Sequence, residues 1–410
     1  MRQRPRRLRL ALAMLAVCGA LVAEAGVGTA QAAPAVSLRA GAQGVIAPGV
    51  RYEEFSVHAS HGTVYGHLLV ADLTNSHVSV DLLTPGVVAA REPVSRMADA
   101  QDAVAGVNGD FFDIAEAQHP GVVATGAAVG PAIADGVPFK AAVPNGQRFG
   151  PVLPTGTSTR DVIGVGYDRV ARLDRLTLTG SVSTPDGTIP LRGLNQYAVP
   201  VGGIGAYTAL WGSTSRQRAV CGSDQLRSAP CSRDTYEVTV RRDQVTAVSD
   251  RPGTGTVPRD GFVLVGREGG ARALRRLRPG AQLRMSSELT GAGGLRFAVG
   301  GFPVLRGGAP LGGLDGVTAA TRTAAGFGAQ GHRLYLLALD GSAERGAGLT
   351  IAELASLMRQ LGADSAVDLD GGGSSTLVAR SPGSHRVTVR NHPSGGAERP
   401  VPEGIGLFSR

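Results

Sequence analysis

The chain has 410 residues, 41 of them Lys or Arg against 33 Asp or Glu, and a formal charge of +8. The first 32 residues hold five of the Arg and one acid, which leaves 36 bases and 32 acids beyond them, a net of +4. That balance is ordinary for a globular protein and points to no nucleic-acid partner. With 60 Gly, 24 Pro and only 4% aromatic residues, the chain must turn often and build its core from Val, Leu, Ala and Ile.

The N-terminus reads as an export signal, residues 1–32. Arg2, Arg4, Arg6, Arg7 and Arg9 form a basic head, Leu10 to Ala23 an apolar stretch, and Ala30-Gln31-Ala32 a small-x-small cleavage site. General secretion fits better than the twin-arginine route, because the residues flanking Arg6-Arg7 match that pattern poorly. The expected mature chain starts near Ala33, secreted or associated with the cell envelope, with no later stretch of about 20 apolar residues to hold it in a membrane. Residues 33–50 are small and Gly/Ala-rich and read as a flexible arm, with one domain over 51–410.

Alternation over residues 63–70 and 78–82 predicts two paired strands turning at Asn75-Ser76. A short helix over 92–103 leads into a buried strand, 104–107, that ends at Asn108-Gly109-Asp110-Phe111-Phe112-Asp113. Residues 130–290 are strand and turn throughout, clearest over 161–178, 236–248 and 262–265. They form a scaffold or substrate-shaping lobe, with a short helix over 271–277. Cys221 and Cys231, ten residues apart in an exported chain, predict a disulfide. An apolar strand over 333–339 ends at Asp340-Gly341. Thr350 and Glu353 then make a capping box, and Ile351, Leu354, Leu357, Met358 and Leu361 share one helical face before Gly362. A second strand, 365–370, is followed by Gly371-Gly372-Gly373-Ser374-Ser375 and a return strand from Thr376. If the two strands are parallel neighbours, as such a crossover implies, Asp340 and Asp370 leave the same sheet edge. The fold class is α+β: a strand-rich mixed-sheet core with a few helices and Gly-rich loops at strand ends.

Four constellations could carry chemistry. In Asp368-Leu369-Asp370-Gly371-Gly372-Gly373-Ser374-Ser375, the two acids fall on one face of a strand. The three Gly with two hydroxyls can form a nest of N–H groups for an anion such as phosphate, which a plain turn would not require. Asn108 and Asp110 emerge beside two aromatics able to wall a pocket. Arg322, followed by Thr323, offers a planar fork for a phosphate oxygen pair. Gly300-Gly301-Phe302-Pro303 suggests a fixed bend. The eight His are scattered without His-x-His or His-Glu-x-x-His spacing, so no zinc-hydrolase motif is present, and neither is a Gly-x-Ser-x-Gly elbow or a Walker motif.

In this order, these segments resemble the phosphodiester glycosidase family over residues 51–408. The likeness is densest at 107–113, 298–305, 321–326, 334–341, 349–376 and 391–401, the last with Pro393 and Glu398-Arg399-Pro400. Two departures are acids: Asp110 where a Gly is common and Asp368 where an Asn is common. The resemblance implies hydrolysis of an α-linked sugar–O–P(O₂)–O–R at the sugar C1–O bond; the expected sugar is N-acetylglucosamine-like, with no cofactor expected and a divalent cation left open. Asp370 or Asp340, with Asp368, would act at C1. Asn108 would hold a sugar hydroxyl, with Asp110 beside it. Arg322, Thr323, Gly371, Gly372, Gly373, Ser374 and Ser375 would hold the phosphodiester. Two other readings remain open. One is a divalent-cation phosphodiesterase with Asp110, Asp340, Asp368 and Asp370 as oxygen ligands; the other is a non-catalytic envelope polysaccharide-binding or assembly protein.

Overall fold

A computed structural model describes residues 36–341 and 348–410; the expected signal segment lies outside the described residues. The framework is an eight-stranded sheet with every neighbouring pair antiparallel, running from Ser37–Ala47 at one edge through Val50–Ala59, Gly62–Asp72, Arg333–Leu339, Thr323–Gly328 and Ser365–Leu369 to Phe302–Arg306 and Ala309–Pro310. Its central strands are apolar on both faces, as befits strands covered on both sides. One face packs on the helix Ile351–Gln360: Leu337, Leu339, Ala324 and Ala366 meet Leu354, Leu357 and Met358. The other face, with Leu336, Ala338, Ala325, Val367 and Leu369, joins a core shared with Val107, Phe111 and Leu377. Val107 and Leu377 come from a second, five-stranded sheet that contains Ala105–Asn108, Leu377–Arg380, Gly404–Ser409 and Val78–Leu83, and Phe111 from the loop after Ala105–Asn108. The expected α+β class is therefore met: five sheets and three α-helices among the described residues.

The capping box forms as its sequence indicates. Glu353 N–H donates to Thr350 Oγ1 at 3.2 Å, and Thr350 N–H donates to the Glu353 carboxylate at 2.9 Å. The other Glu353 oxygen accepts from Ser60 N–H at 2.8 Å, which ties the helix start to the hairpin 50–72.

Three local expectations change. Ser37–Ala47, expected to belong to a flexible arm, pairs antiparallel with Val50–Ala59; a residue can be small and exposed and still complete a ladder. Val78–Leu83 does not pair with Gly62–Asp72, because it crosses to the second sheet and pairs with Gly404–Ser409. The strands Arg333–Leu339 and Ser365–Leu369 are parallel but not neighbours. Thr323–Gly328 lies between them, antiparallel to both, with Thr323 opposite Ala338 on one side and Leu369 on the other. Asp340 and Asp370 still leave the same sheet edge, with Arg322 between them.

The strand-rich stretch has its own apolar cluster, including Ile133, Val162, Leu194, Val238 and Leu264. Cys221 and Cys231 are joined by a disulfide.

Candidate active site

The loop after Ser365–Leu369 is shaped by its three glycines, each for a different reason. A Cβ on Gly371 would meet the Thr321 carbonyl oxygen at 2.5 Å. Gly372 has φ +59° and open space around it, so its backbone conformation is what favours glycine. Gly373 provides the flat surface on which the Arg399 guanidinium lies. Part of the expected nest is turned inward, at Gly372 and at the two serines that follow. Gly372 N–H donates to Thr321 O at 2.8 Å, Ser374 N–H to Gly371 O at 3.1 Å and Ser375 N–H to Gly372 O at 3.3 Å.

Beside this loop opens a cavity of about 230 Å³, whose lining includes Phe111, Phe112, Phe149, Arg322, Asp370 and Arg399. Arg322 and the Asp370 loop, 48 positions apart in sequence, thus share one cavity. A larger hollow of about 590 Å³ in the strand-rich stretch is lined by residues such as Leu178, Arg192 and Asp224 and gathers none of the motif residues. Chemistry, not size, distinguishes the two.

Asp370 is half-buried at the cavity wall, and its carboxyl is pushed up to about 7. Burial is the main cause and nearby Asp110 adds to it, while Ser374, Arg399 and the Gly371 N–H act in the opposite direction. It is the sole carboxylate among the described lining residues. Arg399 donates to Ser374 Oγ at 3.2 Å and otherwise faces the cavity. The tripeptide Glu398-Arg399-Pro400 carried the family likeness, yet nothing local in it indicated that Arg399 would reach a loop 25 residues upstream.

The other candidates separate into distinct roles. Arg322 lines the cavity, but Nε donates to Leu349 O at 3.0 Å and Nη2 to Thr318 O at 3.1 Å, so only part of its fork faces a ligand. Asp368 is buried 3.7 Å from Arg322 Nη1, and neither carboxylate oxygen accepts a hydrogen bond. Burial, with Asp370 adding and Arg322 opposing, raises its carboxyl to about 7. Below that pH Asp368 keeps its proton and is neutral, like the Asn common at this position.

Asn108 is not available to a sugar hydroxyl. Its side chain is fully buried, with Nδ2 donating to Asp370 O at 2.6 Å and Oδ1 accepting from Thr376 N–H at 3.0 Å and Thr323 Oγ1 at 2.9 Å. Thr323 Oγ1 also lies 3.0 Å from the buried Ser375 Oγ. Asn108, Thr323 and Ser375 therefore clamp the ends of strands from the two sheets, immediately behind Asp370.

Asp110 likewise turns inward. Its oxygens accept from Phe111 N–H at 2.8 Å and Gly130 N–H at 2.6 Å. Burial raises its carboxyl to about 6, against those hydrogen bonds and the buried Lys140. Glu403 completes this buried group, raised by its own burial. Lys140 is the chain's only lysine, but no local pattern around it or Glu403 marks this buried group.

Asp340 lies apart from the cavity lining. Its Oδ1 faces His67 Nε2 at 3.1 Å and His392 Nδ1 at 3.1 Å and accepts from His392 N–H at 2.7 Å. Burial would raise this carboxyl, but the His67 and His392 contacts outweigh it and hold the group below the usual carboxylate range. Among the described residues Asp110, Asp340, Asp368 and Asp370 do not gather into one ligand set. His67 and His392, scattered in the sequence, are what Asp340 meets.

Taken together, these features define a strand-rich α+β protein with a carboxylate–arginine cavity at the seam of two sheets. Residues 234–408 match the model of the phosphodiester glycosidase family, a span that includes Arg322, Asp340, Asp370 and Arg399 but neither Asn108 nor Asp110. The fold is shared with a hypothetical protein from Synechocystis, at TM-score 0.68 and 21% identity over 88% of this chain; the match spans 62% of that protein's length. A candidate exported protein from Burkholderia pseudomallei K96243 matches at TM-score 0.68 and 20% identity, over 92% of this chain and 97% of that one. The catalytic domain of zebrafish N-acetylglucosamine-1-phosphodiester alpha-N-acetylglucosaminidase, auto-inhibited by its pro-peptide, aligns at TM-score 0.44 and 15% identity, over 92% and 88% of the two chains. No curated protein matches the sequence.

Proposed function

We propose that the protein hydrolyses a glycosyl-1-phosphodiester at the sugar C1–O bond, releasing the free sugar and a phosphate monoester. The observation that carries this reading is the convergence of Asp370, Arg322 and Arg399 on one cavity walled by Phe111, Phe112 and Phe149. A phosphate monoester is already a good leaving group, so the protein's task is to bind the charge that grows on it. Fixed cationic donors do this efficiently, and Arg399 with the remaining N–H groups of Arg322 supplies them. Asp370, with its carboxyl near 7, suits the base that takes a proton from water. The water oxygen bonds to C1, the C1–O bond breaks with its electron pair passing to the phosphate oxygen, and the proton resides on Asp370. The aromatic walls exclude competing water and pack against the sugar ring, an N-acetylglucosamine-like one if the family likeness extends to substrate.

We also propose that the enzyme works outside the cytoplasm. The support is the basic-apolar-small pattern of residues 1–32 and the structural likeness to the candidate exported protein from Burkholderia. No helix among the described residues is long and apolar enough to cross a membrane.

Hydrolysis of an N-acetylglucosamine-1-phosphodiester in ¹⁸O-labelled water tests the reaction. Label recovered in the sugar is the expected result. Label in the phosphate, with release of sugar-1-phosphate, would mean P–O cleavage and sink the reading.

A further inference from the structure

We propose that His67, Asp340 and His392 bind one zinc-like divalent metal ion, at a site distinct from the Asp370 cavity. The donor atoms are His67 Nε2, an Asp340 carboxylate oxygen and His392 Nδ1, all within 4.8 Å of one another. His67 and Asp340 come from adjacent strands, with Asp340 at the exit of Arg333–Leu339. His392 arrives on the segment after Val387–Val389, where Gly341 N–H donates to its carbonyl at 2.8 Å and Asn391 Nδ2 donates to Leu339 O at 3.2 Å.

Tyr52 Oη lies 3.1 Å from Glu54 Oε1 and 2.7 Å from His67 Nδ1, and on the other side of the ring His67 Nε2 faces Asp340 Oδ1 at 3.1 Å. A second imidazole nitrogen, His392 Nδ1, lies the same 3.1 Å from that oxygen, and such a convergence on one carboxylate suits a metal. Ligand atoms about 2.0–2.1 Å from a tetrahedral zinc lie roughly 3.3 Å apart, close to both separations. Two imidazoles and one carboxylate are a donor set suited to zinc and neighbouring transition metals rather than to magnesium or calcium. Tyr52 would fix the His67 tautomer from outside the coordination sphere, as hydrogen-bond partners of metal-bound His commonly do. The buried pair is reached from solvent past His392, whose side chain is 51% exposed.

The site bears on the cavity through the 392–394 segment. Ser394 Oγ donates to Gly372 O at 3.3 Å and lies 3.4 Å from Thr321 Oγ1. A bound ion would anchor this segment against the glycine loop, a positioning role independent of whether the glycosidase reading holds.

Calorimetric titration of chelator-treated, purified protein with zinc chloride tests it, with thermal melting as a second readout. One equivalent should bind and raise the melting temperature in proportion to saturation. His392→Ala, at an exposed position that does not endanger folding, should weaken binding at least tenfold. Tyr52→Phe should weaken it about tenfold or more, and His61→Ala should leave it unchanged. Absence of zinc binding by the folded wild-type protein, or equal affinity in His392→Ala, overturns the proposal and leaves His67 as the proton-bearing partner of Asp340.

Discussion

The glycine-loop cavity and the His67–Asp340–His392 cluster lie at the same end of the eight-stranded sheet, yet they are built in opposite ways. The first grows from one continuous run, residues 368–375, whose acids, glycines and hydroxyls are all visible in order. The second joins side chains 273 and 52 residues apart, none of them in a recognisable spacing. A polar motif can therefore be read in sequence when one loop supplies it, and disappears when strand order supplies it. Arg399 belongs with the second kind, although it serves the first site.

Substitutions can break this contrast. Asp370→Asn should have the largest effect, lowering kcat about 10²–10⁴-fold on a glycosyl phosphodiester, with unchanged thermal melting because the loop glycines and the Asn108 clamp remain. Activity near wild type would remove Asp370 from the chemistry. Arg399→Ala should reduce kcat/KM about 10²-fold or more, and lengthening the leaving group should not restore it. A smaller loss than from Arg322→Ala would reverse their assigned weights in gripping phosphate.

The pH profile sharpens the same point. Because burial raises the Asp370 carboxyl to about 7, its base form dominates above that pH and its acid form below. The rate should therefore climb with pH through about 7 and fall about tenfold per unit on the acid side. A fall in rate across that interval as pH rises would make Asp370 an acid instead.

Two stability measurements complete the comparison. Asn108→Ala leaves Thr376 N–H and Asp370 O without this partner and the Thr323 hydroxyl with Ser375 Oγ alone, and should cost about 2–3 kcal/mol by denaturant unfolding. A neutral result there, with lost sugar affinity, would restore Asn108 to substrate binding. Thr350→Ala, which removes one half of the capping box and lies outside the cavity lining, should cost about 1 kcal/mol and leave kcat unchanged.

Much of the site's composition was legible because it depends on local rules. Gly371 to Gly373, the acids of the strand before them and the capped helix before that strand all follow from period, propensity and turn chemistry. The roles were less legible. Asn108 and Asp370 both end buried strands, yet Asn108 is enclosed by two sheets and Asp370 borders the cavity. Arg322 looked like an open fork, but Leu349 O and Thr318 O take two of its nitrogens. Asp368 looked like a second reactive acid until burial against Arg322 set it behind the cavity wall.

By itself the sequence determined the strand-rich class, the helix Ile351–Gln360 with its cap, the disulfide and the loop at 371–375, since each is set by interactions between residues near one another in the chain. Tertiary structure alone decided that Thr323–Gly328 separates the two parallel strands, that Val78–Leu83 leaves for the second sheet, and that His67, His392 and Arg399 reach the acids. Those outcomes depend on which apolar faces are buried together. Burial is a property of the assembled sheets, and it sets both where a carboxylate points and how tightly it holds its proton.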